Sequence, residues 1–328
     1  MRNVRIASTG RAVAPVLVTN AEMDQRFGPG VGDWLVKNVG IEQRFHMAQG
    51  QVTSDLAAEA GRQALTRAGL TADEVDLLIV STDTPDQPSP ATAAVVQHKL
   101  GARNAGVFDI NTACAGFVTA LDVGCKYLGG DASMRHALVI GAYGMSRYLD
   151  WTDKYTATLF ADGAGAVVLS PTERPGFLGS TLWADGSMWD ALGIYAGGTA
   201  RPAGGDVHPH VEFVRKFPKT YNLEHWPRML RETSKKCGVP LEAVSLFVFT
   251  QLNLRTIEEV MQIIGQPMAK THWVMDKWGY TGSGCIPMTL DDAIAAGKVK
   301  AGDVVAFCAS GGGVAMASAF FAMEGLGR

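Results

Sequence analysis

Two stretches half a chain apart carry a loosely similar pattern of residues, and no other feature constrains the fold as tightly. Residues 69–82 read GLTADEVDLLIVST and residues 238–251 read GVPLEAVSLFVFTQ. In each, a helical stretch stops at glycine, a short acidic helix start follows, and an apolar run begins. The offset is 169 positions in a chain of 328. A unit repeated at half the length, with no low-complexity linker between the copies, implies one body made of two related halves. The expected halves are 1–172 and 173–328.

Five short apolar runs read as strands: VDLLIV at 75–80, HALVIGA at 136–142, AGAVVLS at 164–170, SLFVFT at 245–250 and VVAFCAS at 304–310. Bounded by Gly, Asp or Pro, they have the composition of central strands covered on both faces. Helical stretches at 56–69, 113–128 and 240–244 alternate with them, which predicts an α/β layered protein. At 47% hydrophobic residues the chain can bury a large core. The net charge of −3 offers no basic stripe for a nucleic acid. No apolar stretch reaches the roughly 18 residues of a membrane span, and the first residues lack a signal-peptide core. The five cysteines (114, 125, 237, 285 and 308) form an odd set without a CxxC pair. Neither a disulfide framework nor a zinc site is expected, and a reducing cytoplasm is the natural compartment.

The segment VFDINTACAGFVTALDVGCKYL at 107–128 carries the chemistry. An apolar strand runs into a turn of small residues, and a helix is expected from about Ala113. Cys114 then lies at a helix N-terminus, where unpaired amides and the helix dipole favour a thiolate. Ala113, Ala115 and Gly116 leave room for a substrate. This is the logic of a strand–nucleophile–helix elbow. Cys125, on the same helix, reads as packing.

DINTACAGF at 109–117 resembles the active-site motif of ketoacyl-ACP synthase III and its relatives in the thiolase superfamily, including the hydroxymethylglutaryl-CoA synthases. DWLVKNVGIEQR at 33–44, DWTDKYTATLFADGAGAVVLS at 150–170 and ASGGGVAMASAFF at 309–321 are similar to further family motifs in the same order. The resemblance implies the thiolase fold, with two pseudo-symmetric halves in a five-layered αβαβα body. It implies a homodimer and no cofactor, coenzyme A entering as a thioester substrate. Cys114 would take an acyl group, and the amides of Cys114 and Gly312 would hold the oxyanion. Trp34 matches a tryptophan that stacks on adenine, while Asn38 and Lys154 stand where the family places phosphate-gripping arginines. Ser89 lies near a position where some relatives place a bulky aromatic.

The resemblance fails at two catalytic positions. The family's histidine, in a His-Gln-Ala-Asn stretch, is Thr250 here, in Thr250-Gln251-Leu252-Asn253. Its asparagine, in a His-Gly-Asn-Thr stretch, is Tyr280, in WGYTGSGCIP. Losing one such donor typically costs a factor of about 10² to 10³. In STDTPDQPSPA at 81–91, Asp83 followed by Asp86-Gln87 matches a proton-handling Glu of the hydroxymethylglutaryl-CoA synthases. Cys308 and Cys285 are weaker candidates for a second catalytic cysteine. The resulting expectation is an acyltransferase that exchanges an acyl group on Cys114 with a second thioester by non-decarboxylative Claisen or retro-Claisen chemistry. The alternatives are decarboxylative condensation, acyl transfer to oxygen or nitrogen, and a non-catalytic acyl-CoA-binding subunit. Expected partners are acyl-CoA or an acyl carrier protein, a second copy of the chain, and a small accessory subunit. The aromatic-rich segment 210–230 is expected to shape the pocket or dock a partner.

Overall fold

The computed structural model describes residues 2–205, 207–215, 218 and 220–325. The first half runs β1 (Asn3–Val13), β2 (Val16–Thr19), α1 (Asn20–Phe27), α2 (Val31–Asn38), β3 (Gln43–His46), α3 (Thr53–Ala68), β4 (Leu77–Ser81), α4 (Thr92–Leu100), β5 (Gly106–Ile110), α5 (Gly116–Gly130), β6 (Ala137–Gly144), α6 (Lys154–Ala157) and β7 (Asp162–Thr172). The second runs β8 (Phe177–Ala184), β9 (Leu192–Ile194), β10 (Val211–Phe213), α7 (Tyr221–Cys237), β11 (Leu246–Phe249), α8 (Leu254–Ile263), α9 (Met275–Trp278), α10 (Cys285–Ala295), β12 (Val304–Gly311) and β13 (Ala315–Ala322).

The repeat has a structural cause. Gly69 and Gly238 end α3 and α7 in the left-handed region, at φ 69° and 67°, where a side chain would be strained. Single 3-10 turns follow at Ala72–Glu74 and Leu241–Ala243, and then β4 and β11 begin. The helix expected at 240–244 is therefore one tight turn, too short for an α-helical hydrogen bond to repeat.

Each half builds one large sheet. The first has the order β1-β7-β6-β4-β5 and the second β8-β13-β12-β11. In both, the two strands nearest the repeat pair in parallel and the next two pairings are antiparallel. The counterpart of β5 is reduced to a single parallel bridge between Phe247 and Thr271. α3 and α4 cover the outer face of the first sheet, and α5 and α10 lie between the sheets. α7, with α8 beside it, covers the second sheet's outer face. These are the five layers of the thiolase fold.

Strand alternation assigns side chains to layers. Leu77, Ile79, Ala137 and Val139 face the central core, while Leu78, Val80, Leu138 and Ile140 face α3 and α4. On β12, Phe307 and Ala309 face the centre, whereas Cys308 packs outward with Trp226, Phe247 and Phe249. One residue of register thus removes Cys308 from the interior between the sheets. Among the described residues, no helix is long and apolar enough to cross a membrane.

Candidate active site

The cavity lies at the carboxyl ends of the parallel strands β4, β5 and β6, where open α/β sheets bind ligands. Asp83 follows β4, Cys114 follows β5, and Tyr143 lies near the end of β6. With them Asn111, Met145, Phe160, Trp189, Tyr195, Gly312 and Gly313 line a space of about 260 Å3.

The turn that presents Cys114 is strained. Asn111 Oδ1 accepts the N–H of Ala113 at 3.0 Å, and Ala113 has φ 46°. A residue with a Cβ rarely adopts that conformation, so the elbow holds it from both sides. Gly116 permits this: a Cβ there would lie 2.0 Å from Ser81 Oγ. Gly311 permits it from the other half, where a Cβ would lie 2.3 Å from Thr112 O and 2.9 Å from Cys114 N. The glycine turn therefore packs directly on the backbone of Cys114, with Gly312 and Cys114 lining the same cavity. Residues 113–115 form a 3-10 turn, and α5 proper starts at Gly116.

The expected electrostatics need a correction. Cys114 is only 7% exposed, and burial pushes its thiol well above the ordinary range. The Asp83 carboxylate adds to this, while a hydrogen bond from the Tyr280 hydroxyl to the sulfur opposes it. Desolvation, with the Asp83 carboxylate added, outweighs the helix terminus, so the resting Cys114 side chain is held as a thiol. Desolvation also raises the Asp83 carboxyl to about 6, and its buried Oδ1 has no hydrogen-bond partner. Asp86 differs: it accepts from the Ser54 N–H at 2.9 Å and from the Ser54 hydroxyl, and so fixes the start of α3. The two carboxylates of the loop thus differ in setting: Asp86 is tied to α3, and Asp83 Oδ1 is left without a partner at the cavity.

The structure brings Cys114, Asp83 and Gly312 to one cavity, while Tyr280 is buried near the sulfur outside the lining. Thr250 lies at the end of β11, outside the lining. Its hydroxyl accepts the Ser310 N–H at 3.3 Å. Trp34 is 57% exposed on α2. Its carbonyl accepts from the Asn38 side chain, and Asn253 Nδ2 reaches Asn38 O at 3.4 Å while capping α8. Trp34, Asn38 and Asn253 therefore form one surface group. Lys154 Nζ lies 5.5 Å from the Tyr155 ring centre, and Ser89 is exposed in its loop. Neither touches the cavity.

Cys285 is buried beside Cys114 and Tyr280, and burial pushes its thiol up to about 12. All five cysteines are free. From the aromatic-rich segment, Val211 joins the cavity wall. His208 and His210 lie in a loop, and positions 216, 217 and 219 fall outside the described residues. Tyr143 was not anticipated from sequence. The signal was present in its place after the HALVIGA run and in Gly282, where a Cβ would lie 2.3 Å from the Tyr143 ring. Among the described residues, no cluster of side chains could hold a metal ion.

Comparison with known proteins agrees with this geometry. The family described as 3-Oxoacyl-[acyl-carrier-protein (ACP)] synthase III matches residues 108–186, and its C-terminal part matches 234–323. A β-ketoacyl-[acyl-carrier-protein] synthase III of Xanthomonas campestris is 38% identical over 321 residues, covering 96% of this chain and 97% of that one. The enzyme of the same name from Alkalilimnicola ehrlichii is 36% identical, covering 97% and 99%. The crystal structure of 3-oxoacyl-[acyl-carrier-protein] synthase III from Aquifex aeolicus superposes with a TM-score of 0.88 at 30% identity, over 98% of this chain and all of that one. The priming β-ketosynthase of the R1128 polyketide pathway superposes with a TM-score of 0.90 at 26% identity, over 98% and 97%. With a buried cysteine at a strained elbow, a glycine turn packed against it and this relatedness along nearly its whole length, the chain is an acyltransferase of the thiolase superfamily and belongs to the 3-oxoacyl-[acyl-carrier-protein] synthase III family.

Proposed function

We propose that the chain takes an acyl group from a coenzyme A thioester onto Cys114 and joins it to a second thioester by forming a carbon–carbon bond, with Asp83 handling the protons. The observation that carries this is the unpartnered Asp83 Oδ1 in the same cavity as a thiol kept protonated by burial. In the first half-reaction Asp83 takes the thiol proton as the sulfur attacks the carbonyl carbon. The oxyanion rests on the amides of Cys114 and Gly312. The new carbon–sulfur bond forms, the bond to coenzyme A breaks, and the departing thiolate regains the proton. In the second, Asp83 removes a proton from the α-carbon of the other thioester. That carbon attacks the acyl carbonyl, and Cys114 leaves as a thiolate stabilised by the Tyr280 hydroxyl until Asp83 returns the proton. Thr250 donates at most one hydrogen bond.

Trp34 would stack on the adenine of coenzyme A, with Asn253 beside it and Lys154 meeting phosphate as a point charge. Ser89, small and exposed, would leave an acyl tunnel open. The relatives' name supports an acyl carrier protein as the second carrier. A homodimer is supported by β5, an edge strand beside which Phe108 and the half-exposed Tyr127 pack.

The relatives' name and 38% identity favour a second reading, decarboxylative condensation. Carbon dioxide release separates the two. With an acyl-CoA primer, we expect condensed product from a non-carboxylated thioester without carbon dioxide. Release from malonyl-CoA or a malonyl carrier protein in step with product would favour the decarboxylative reading.

A further inference from the structure

The cavity beside Cys114 carries more polar chemistry than acyl transfer through Asp83 requires. The Tyr143 residue is 1% exposed, its ring lines the cavity, and its hydroxyl has no hydrogen-bond partner among the described residues. Tyr195 lines the same space, and its buried hydroxyl is also unpartnered. Polar groups inside a protein are normally satisfied, so two unpartnered phenols on residues lining one small cavity call for a ligand atom or water. Met145, Phe160, Leu192, Ile194 and Val211 supply the apolar part of the lining, and Asp83 and Asn111 add polar groups on the Cys114 side. An apolar pocket with a few convergent polar groups orients a ligand by its polar atom.

From this we infer that the acyl group accepted by Cys114 is short and carries a hydroxyl, which the phenols of Tyr143 and Tyr195 hold. A cavity of about 260 Å3 suits on the order of ten non-hydrogen atoms, since a cavity of about 150 Å3 holds benzene. A fully aliphatic acyl group would displace water and leave both phenols dry. A carboxylate-tipped one would meet Asp83. Phenols serve a hydroxyl both as donor and as acceptor. Sites built to bond a substrate hydroxyl reject the analogue lacking it far more strongly than apolar pockets reject a missing methylene.

The inference rests on acylation of Cys114, and its test keeps the two apart. The whole protein is mixed with butyryl-, 3-hydroxybutyryl- or succinyl-CoA, and the rate of the mass increment on Cys114 is followed. The hydroxyacyl group should load on the order of 10²-fold or more faster than butyryl. Tyr143→Phe should lower the hydroxyacyl rate far more than the butyryl rate, so the ratio collapses. Tyr195→Phe should reduce the same ratio and serves if the first variant does not fold. If butyryl or succinyl loads as fast as hydroxybutyryl, or both variants keep the wild-type ratio, the hydroxyacyl inference falls and the acylation reading stands. If no thioester loads, both fall.

Discussion

Asp83→Asn should slow acylation of Cys114 by about 10² to 10⁴-fold, the usual range for a lost general base. Burial and the neighbouring carboxylate both hold the Cys114 proton on, and the Tyr280 hydrogen bond does not outweigh them. Attack on a thioester therefore needs a proton acceptor in the cavity, and Asp83 Oδ1 is buried there without a partner. The wild-type acylation rate should rise with pH through about 6 as this carboxyl ionises, and the Asn variant should lose that rise. Stability moves the other way. The native state holds the Asp83 proton to about 6 and the unfolded chain only to 3.8, so stability falls as pH rises between these values. Asn carries no such charge, so the variant should melt at or above the wild-type temperature at pH 7 while acylating poorly. Wild-type rates in a well-folded Asn variant would remove Asp83 from the mechanism.

Gly311→Ala should lose both stability and activity. A Cβ at 311 would meet Thr112 O at 2.3 Å, Cys114 N at 2.9 Å and Ala115 N at 3.0 Å, all of them backbone atoms that cannot swing away. Overpacking of this kind costs about 1–3 kcal/mol. The backbone that must move carries the nucleophile and a proposed oxyanion donor, so turnover should fall by about 10² to 10³-fold. Gly313→Ala is the comparison. Position 313 has φ 68°, yet a Cβ there meets nothing within 4 Å. It should lose about 1–2 kcal/mol through backbone strain alone and keep more activity. Thermal melts with steady-state rates check both variants. Equal losses would mean that the contact between the halves at Gly311 does not hold the elbow.

Much of this body was legible in the sequence because its cause is local. The repeat marks two left-handed glycines, Gly69 and Gly238, each feeding a 3-10 turn and a buried strand. The Cys114 elbow was legible for the same reason, since Ala113, Gly116 and Gly311 are the residues such a turn requires. What was not legible depends on contacts between distant segments. The thiol's direction of shift comes from burial and from Asp83, 31 positions earlier, against which the helix terminus is the weaker influence. Cys308 was one residue of register away from the interior, and only β12's pairing with β11 and β13 assigns it to the outer layer. Tyr143 needed Gly282, from the other half, to make space for its ring.

The proposed chemistry turns on whether Cys114 carries the acyl group. Intact-mass measurement after incubation with a panel of short acyl-CoAs tests it most directly. The account predicts a single acyl increment on the wild-type chain, mapped to Cys114 by peptide fragmentation, absent in Cys114→Ala and slow to form in Asp83→Asn. No increment with any thioester, or an increment that survives Cys114→Ala, would contradict it.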